Sequence, residues 1–277
     1  MTVPDLAKRF ACSPYGPDVE DDIAWSADHG FPWVAFMTDA GANGLLTWTP
    51  ERIERVRRLC ADKDVHLIIH TLSAVNVAEF VPHMTEAVDA YLAANVDLAA
   101  KLAAQVIVHA GMHFSERIDL RTKVSIEHIG RAVKRAEAAG VTLMLENMNR
   151  GPKEAEVHYI GCASSELRPY FDAIQSPSLK WAFSANHAHL TTEDWSGFLD
   201  TLGTDRLGIV MMADCHGTIE EHLWPGKGTL DFGALLARLE RARYGGPYFL
   251  TFGPKDALLA GREYIIERAT AALAPAR

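Results

Sequence analysis

The sequence predicts an α/β fold, a (β/α)8 TIM barrel that takes residues 1–277 as a single domain. Three observations predict it. Eight short, β-rich apolar runs alternate with longer segments of helical period. The runs are nearly continuous in apolar residues, as strands of a parallel sheet buried on both faces must be. His70, His109, Glu146, His187 and His222 stand at or near the ends of such runs, and in a barrel the carboxyl ends of the strands share one mouth. A chain of 277 residues with 48% hydrophobic content is long enough for this fold, which usually takes about 250 residues.

The elements follow in order. RFACSP at 9–14 is the first run, and no GxGxxG follows it, which argues against a doubly wound nucleotide-binding sheet. WVAFMTD at 33–39 leads to PERIERVRRLCADKD, an amphipathic helix with Thr49 and Pro50 at its cap and first turn. VHLIIHT at 65–71 and VIVHAG at 106–111 flank a second helix, EAVDAYLAANVDLAAKLAAQ. VTLMLEN at 141–147 ends on an acid. The stretch from Asn147 to about Ser164 is long for a strand-to-helix connection, and such loops commonly form a substrate lid. LKWAFSA at 179–185, LGIVMMAD at 207–214 and YFLTFG at 248–253 complete the eight.

A net charge of −9 opposes a surface built for phosphate backbones, whose affinity comes from clustered Lys and Arg, so nucleic acid is not an expected partner. No stretch approaches the roughly 18 consecutive apolar residues of a spanning helix, and the opening MTVPDLAKRF lacks the apolar core of a signal peptide. No membrane partner is expected, and the expected location is cytoplasmic. Cys12, Cys60, Cys162 and Cys215 form no CxxC pair and read as reduced thiols. PGKGTLDF at 225–232 lacks the spacing of a phosphate-binding loop, so no nucleotide cofactor is expected.

Four segments occur in order, each at a strand end: HTLSAVNVA at 70–78, VHAGMH at 108–113, LENMNRG at 145–151 and HGTIEEHLWPGKGTLDF at 216–232. In them the chain resembles the xylose isomerase-like TIM barrel superfamily, which includes sugar phosphate isomerases and epimerases, inosose dehydratases and the endonuclease IV type of repair enzyme. The resemblance covers nearly the whole chain. It implies the barrel fold and, since many barrels of this family pair through their outer helices, a homo-oligomer. It also implies one divalent cation held by a Glu, an Asp, a His and a second Glu. Glu146 takes the first of these positions. Ser184 stands at the Asp position, Met211 at the His position, and Thr251 or Phe252 at the second Glu position, so the usual metal site is degenerate. His70, His109 and Glu146 match residues that hold one zinc in the endonuclease-type members, and His187, Glu220 and His222 match a second cluster there. Two alternatives result: a shifted seat for one divalent metal (Zn, Mn, Fe or Co) on His70, His109 and Glu146, or no metal.

Glu146 is the foremost candidate, because a carboxylate ending an apolar strand is costly to bury unless paired or ligated. Glu146, His187 and His222 are read as the catalytic set, and His70, His109, Arg150, Lys153, Trp224 and Lys227 as substrate-binding. Arg150 and Lys153 suit an anionic or polyhydroxyl substrate; an ordinary solvated loop is the alternative. Trp224 either stacks on a sugar ring or seals its loop. Lys227 lies between Gly226 and Gly228, small residues that let backbone approach a ligand. His113 and His189 follow site histidines closely and are candidates for the pocket wall, whereas His66, His83, His128 and His158 are expected to be solvated. Cys215 beside His216, next to Asp214, is not read as a nucleophile with its base, since adjacent residues of an extended segment point to opposite sides.

This set suits proton transfer on a small polyhydroxylated carbonyl compound, which needs a base near the carbon acid and an electrophile for the enediolate oxygen. The expected activity is that of a sugar phosphate isomerase/epimerase-like enzyme with a small, sugar or polyol-like substrate. Two alternatives stand beside it: a lyase, dehydratase or hydrolase of specialised metabolism on the same barrel, and a noncatalytic binding subunit. Five polar strand ends argue against the last.

Overall fold

The computed structural model describes residues 6–39, 41–114, 117–251 and 253–274. All eight expected runs form strands of one closed parallel barrel: β1 (Phe10–Cys12), β2 (Trp33–Met37), β3 (His66–His70), β4 (Gln105–Val108), β6 (Leu143–Glu146), β8 (Leu179–Ser184), β9 (Leu207–Met211) and β10 (Tyr248–Leu250). Pairing of β10 with β1 closes the ring, Tyr248 opposite Phe10 and Leu250 opposite Cys12. The expected (β/α)8 TIM barrel is what the chain forms.

The nearly unbroken apolar runs have a direct cause. Side chains alternate across a strand, so one set must pack inside the barrel and the other against the helices. Ala35, Ile68, Ile107, Met144, Ala182, Ile209 and Phe249 form the inner cluster. Their chain neighbours, Val34 and Phe36, Leu67 and Ile69, Val106 and Val108, belong to the outer core shared with the helices. Two residues past each inner residue, the same period brings the next side chain to the barrel's mouth. On β2, β3, β4, β6, β8, β9 and β10 these are Met37, His70, His109, Glu146, Ser184, Met211 and Thr251.

The surrounding helices are α1 (Val19–Asp28), α2 (Pro50–Lys63), α3 (Pro82–Leu102), α4 (Ile118–Ala139), α5 (Ser164–Ala173), the short α6 (Ala185–His189), α7 (Asp194–Leu202), α8 (Phe232–Arg241) and α9 (Lys255–Leu273). Thr49 caps α2 by accepting from Arg52 N at 3.3 Å, with Pro50 in the first turn as the sequence predicts. The helix expected to begin at Glu86 starts instead at Pro82, a second proline in a first turn, and ends before Gln105, which enters β4. All four cysteines are free thiols. Among the described residues, no helix is long and apolar enough to cross a membrane.

Further features depart from the sequence reading. β5 (Met112–Phe114) and β7 (Val157–Tyr159), both expected as loop, pair antiparallel beside the mouth. Gly111 makes the turn from β4 into β5 at a φ of +92°, where a side chain would meet the Ala78 backbone N at 2.5 Å. His128, expected in solvent, is fully buried between α4 and α3, with Nδ1 2.6 Å from Asp89 Oδ1 and Nε2 3.3 Å from the Glu79 carbonyl. A carboxylate on the facing helix supplies the partner that makes the burial tolerable. His66 and His83 are exposed as expected, and His158 is half-buried.

Candidate active site

His70, His109 and Glu146 arrive from three strands that are adjacent in the barrel, β3, β4 and β6. Their ligating atoms form a tight triangle: His70 Nε2 to His109 Nε2, His70 Nε2 to Glu146 Oε2, and His109 Nε2 to Glu146 Oε2 all measure 3.2 Å. The three residues are buried. Burial alone would push the Glu146 carboxyl up, yet the hydrogen bonds and charges of His109 and His70 overcome it and hold it well below the usual carboxylate range. Burial holds His109 below the ordinary imidazole value despite the attraction of Glu146. An ionised carboxylate beside a neutral imidazole is the protonation state a ligand set requires.

A second group continues from Glu146. His187, on α6 directly after β8, has Nδ1 3.4 Å from Glu146 Oε1 and hydrogen-bonded to the Asn147 carbonyl at 2.8 Å. Its Nε2 lies 3.3 Å from Glu220 Oε1, and His222 Nδ1 lies 3.3 Å from the same oxygen. Six side chains thus form one unbroken polar chain inside a cavity of about 280 Å³. Burial pushes both imidazoles down. At His187 the hydrogen bond it donates to Glu220 and the charges of Glu146 and Glu220 reverse the effect and hold it above the ordinary value, whereas His222 stays below.

Asp214 explains how a long loop presents Glu220 and His222. Its buried carboxylate accepts four backbone N–H groups: Cys215 at 2.9 Å and Leu230 at 3.1 Å on Oδ1, Gly226 and Gly228 at 2.9 Å each on Oδ2. Asp214 and Leu223 also form a two-residue bridge of paired backbone hydrogen bonds. The loop is therefore gathered around one anion. Gly228 leaves room for that carboxylate, since an added Cβ would lie 2.4 Å from Asp214 Oδ1. Gly226 leaves room for the Tyr264 ring. The small residues around Lys227 serve this packing, and Lys227 itself is exposed.

Other expected site residues fall elsewhere. Trp224 lies against Gly253, past the end of β10, rather than along the polar chain. Arg150, Lys153 and His113 line a neighbouring recess. His189 binds Asp194 and Thr229, each at 3.0 Å. The Cys215 thiol is buried 3.5 Å from the Asn186 carbonyl and pushed up to about 11 chiefly by burial, while His216 is exposed and paired with Glu221. The two are not a nucleophile and base. Sequence reasoning missed Asn147 and Tyr159. Asn147 joins β6 to β8 through Ser184 N at 2.7 Å and Ser184 O at 3.0 Å, besides holding His187 through its carbonyl. Tyr159 lines the cavity from β7, and only the short apolar alternation of VHYI signalled that strand.

The family model for xylose isomerase-like TIM barrels matches residues 23–271. This chain belongs to that family. Among solved structures it is similar to a D-tagatose 3-epimerase-like protein, at 20% identity and a TM-score of 0.85 over 95% of this chain and 98% of the other. It is also similar to an L-ribulose 3-epimerase (16%, TM-score 0.76, 96% and 94% covered) and to a 3-keto-D-glucoside 4-epimerase from E. coli (17%, TM-score 0.74, 95% and 98% covered). No curated protein matches the sequence.

Of the positions at which the resemblance expects metal ligands, Glu146 is in place. Ser184 and Thr251 are buried at their strand ends, Met211 packs into the inner cluster, and Phe252 lies outside the described residues. Polarity has moved to the other side of the mouth, toward β3 and β4. The donor set there fits a cation. Ligand bonds of about 2.0–2.1 Å in a tetrahedron set neighbouring donors about 3.3 Å apart, close to the observed 3.2 Å. His187, Glu220 and His222 form a second group of potential ligands, and Glu220 Oε2 is buried with no hydrogen-bond partner among the described residues.

Proposed function

We propose that this chain is an isomerase or epimerase that moves a proton on a small sugar bearing a carbonyl. One observation carries the reading: the unbroken chain from His70 and His109 through Glu146, His187 and Glu220 to His222 within a single cavity. Such chemistry needs a base, an acid and a stabiliser for the enediolate oxygen in reach of adjacent carbons. His70, His109 and Glu146 are the residues that would hold a divalent cation, which supplies Lewis acidity for the carbonyl oxygen when bound.

The remaining residues divide the proton work. Desolvation holds the His222 imidazole below its ordinary value, which favours the neutral form that can take the proton from the carbon beside the carbonyl, and its Nδ1 lies against Glu220. His187 is shifted toward its charged form, with the Asn147 carbonyl and Glu220 as acceptors, and in that form sets a positive charge beside the developing oxyanion. Return of the proton from His222 to the neighbouring carbon on the same face isomerises the sugar, whereas epimerisation needs a proton delivered to the opposite face of the original carbon, for which His187 is the donor at hand. Titratable partners displaced in opposite directions around one carboxylate are the arrangement acid–base chemistry uses.

The test is deuterium uptake from D2O into D-fructose, D-tagatose and D-allulose, followed by NMR. Uptake is expected at the carbon next to the carbonyl, with His222→Ala slowing it by about 10²–10⁴-fold. Glu146→Gln is expected to remove most of the rate. Uptake at the parental rate in both variants overturns the reading. A dehydrating lyase is a second reading, favoured by Ser184, Met211 and Thr251 at the family's ligand positions. A new vinylic signal in the same spectra, in place of deuterium uptake, would assign it.

A further inference from the structure

A second recess lies beside the catalytic cavity. It has a volume of about 390 Å³, and Tyr159 lines both. Its walls come from the β5–β7 pair and the segment joining β6 to β7, with His113, His158, Arg150 and Lys153 among them. His113 and His158 are direct partners in the antiparallel register, which places both rings on one face, stacked with centroids 5.6 Å apart. His113 Nδ1 donates to the Phe114 carbonyl at 2.6 Å, which orients the ring.

The lining is one-sided in charge. Among its described residues the one carboxylate is Glu166, whose Oε2 already accepts from Gly161 N at 2.9 Å and Cys162 N at 3.0 Å. Burial raises the Cys162 thiol to about 12, so it stays neutral. Arg150 and Lys153 are cations, in a chain whose net charge is −9. A neutral polyol needs acceptors as well as donors from its pocket. This wall supplies mainly donors, among them a planar guanidinium fork and a mobile ammonium, the pair of groups that suits a multi-oxygen anion.

We propose that this recess is an anion subsite, which takes the phosphate or carboxylate of a sugar whose reacting carbons lie against Glu146, His187 and His222. The proposal rests on the proton-transfer reading of the neighbouring cavity and narrows its substrate to an anionic sugar. The β5–β7 pair is then the element that selects the substrate, while the strand ends perform the chemistry.

Titration of the His113 and His158 imidazole NMR signals with inorganic phosphate, and separately with malonate, tests it. Saturable shifts are expected, abolished in the Arg150→Met, Lys153→Met double variant and retained in Glu146→Gln. A response to phosphate alone assigns a phosphorylated sugar, and a response to malonate alone a sugar acid. No saturable response to either, or one that survives in the double variant, overturns the proposal. Deuterium uptake into D-fructose 6-phosphate is expected to exceed that into D-fructose by about tenfold or more in kcat/KM if phosphate is the anion, a preference expressed in KM and lost in the double variant. Uptake into neutral sugars without anion binding sinks the subsite and leaves proton transfer standing. Anion binding without uptake into any sugar does the reverse.

Discussion

Asp214 shows how much one side chain can organise. Four backbone N–H groups from residues 215 to 230 converge on it, and the same loop carries Glu220 and His222. Replacement by Asn removes the charge and turns an acceptor oxygen into a donor facing N–H groups. Asp214→Asn is expected to cost about 2 kcal/mol of unfolding free energy, the scale of hydrogen bonds to a charged group. It should also lower kcat/KM by about tenfold or more through misplacement of His222. Denaturant melts and initial rates check both, and a variant with parental kcat/KM would show that the loop holds its shape without the anion. At this scale the sequence spoke unevenly. Glu146, His70 and His109 were legible because a polar residue that ends an apolar strand is anomalous, whereas His187 lies on α6 and His222 in the long loop after β9. Asp214 was visible as a residue but its role was not, since its partners are backbone atoms whose positions no residue name encodes. His128 failed for a related reason: the expectation of solvent took no account of Asp89 on the facing helix.

At the scale of elements, the rim after β2 is tied down by α2. Arg52 donates to Glu20 Oε1 at 3.0 Å and Oε2 at 2.8 Å, to Thr47 Oγ1 at 2.8 Å, to Asn43 Oδ1 at 3.0 Å and to the Ala42 carbonyl, and its guanidinium lies 4.2 Å from the Trp48 ring centre. Burial pushes the Glu20 carboxyl up, but the hydrogen bonds from Arg52 and Arg55 more than offset it and leave it below its ordinary 4.5. A carboxyl lowered in the folded state stabilises above its unfolded value and loses that contribution as pH falls through the folded one. Glu20→Gln is therefore expected to cost about 1 kcal/mol at neutral pH, and the gap to the parent should close below about pH 4. Urea melts at several pH values measure it; a gap that widens in acid would contradict the ion pair. The strands were read correctly because eight buried runs differ sharply from amphipathic helices. β5 and β7 were not, because three residues each with one partner carry too little period to separate from a loop.

The whole molecule couples the site to the barrel's stability. His70, His109 and Glu146 come from three strands, so an ion held among them ties those strands together in the folded state alone. Zinc or manganese at about 100 times its Kd is expected to add about 2.7 kcal/mol and raise Tm by several degrees in chelator-treated protein. His109→Ala should reduce that rise. A parent whose Tm ignores every divalent ion tested would remove the cation seat and leave the histidines to act alone.

The barrel and its mouth follow from the sequence by itself, since local period decides which side chains can be buried on both faces of a sheet and which residues reach the strand ends. His70, His109 and Glu146 were identifiable on that ground alone. Tertiary structure decided the rest: that Glu146 and Glu220 flank His187, that Asp214 gathers a loop, and that Arg150 and Lys153 face a recess of their own beside β5 and β7. These are contacts between residues distant in the chain, so they depend on the packing of whole elements, which local pattern does not encode.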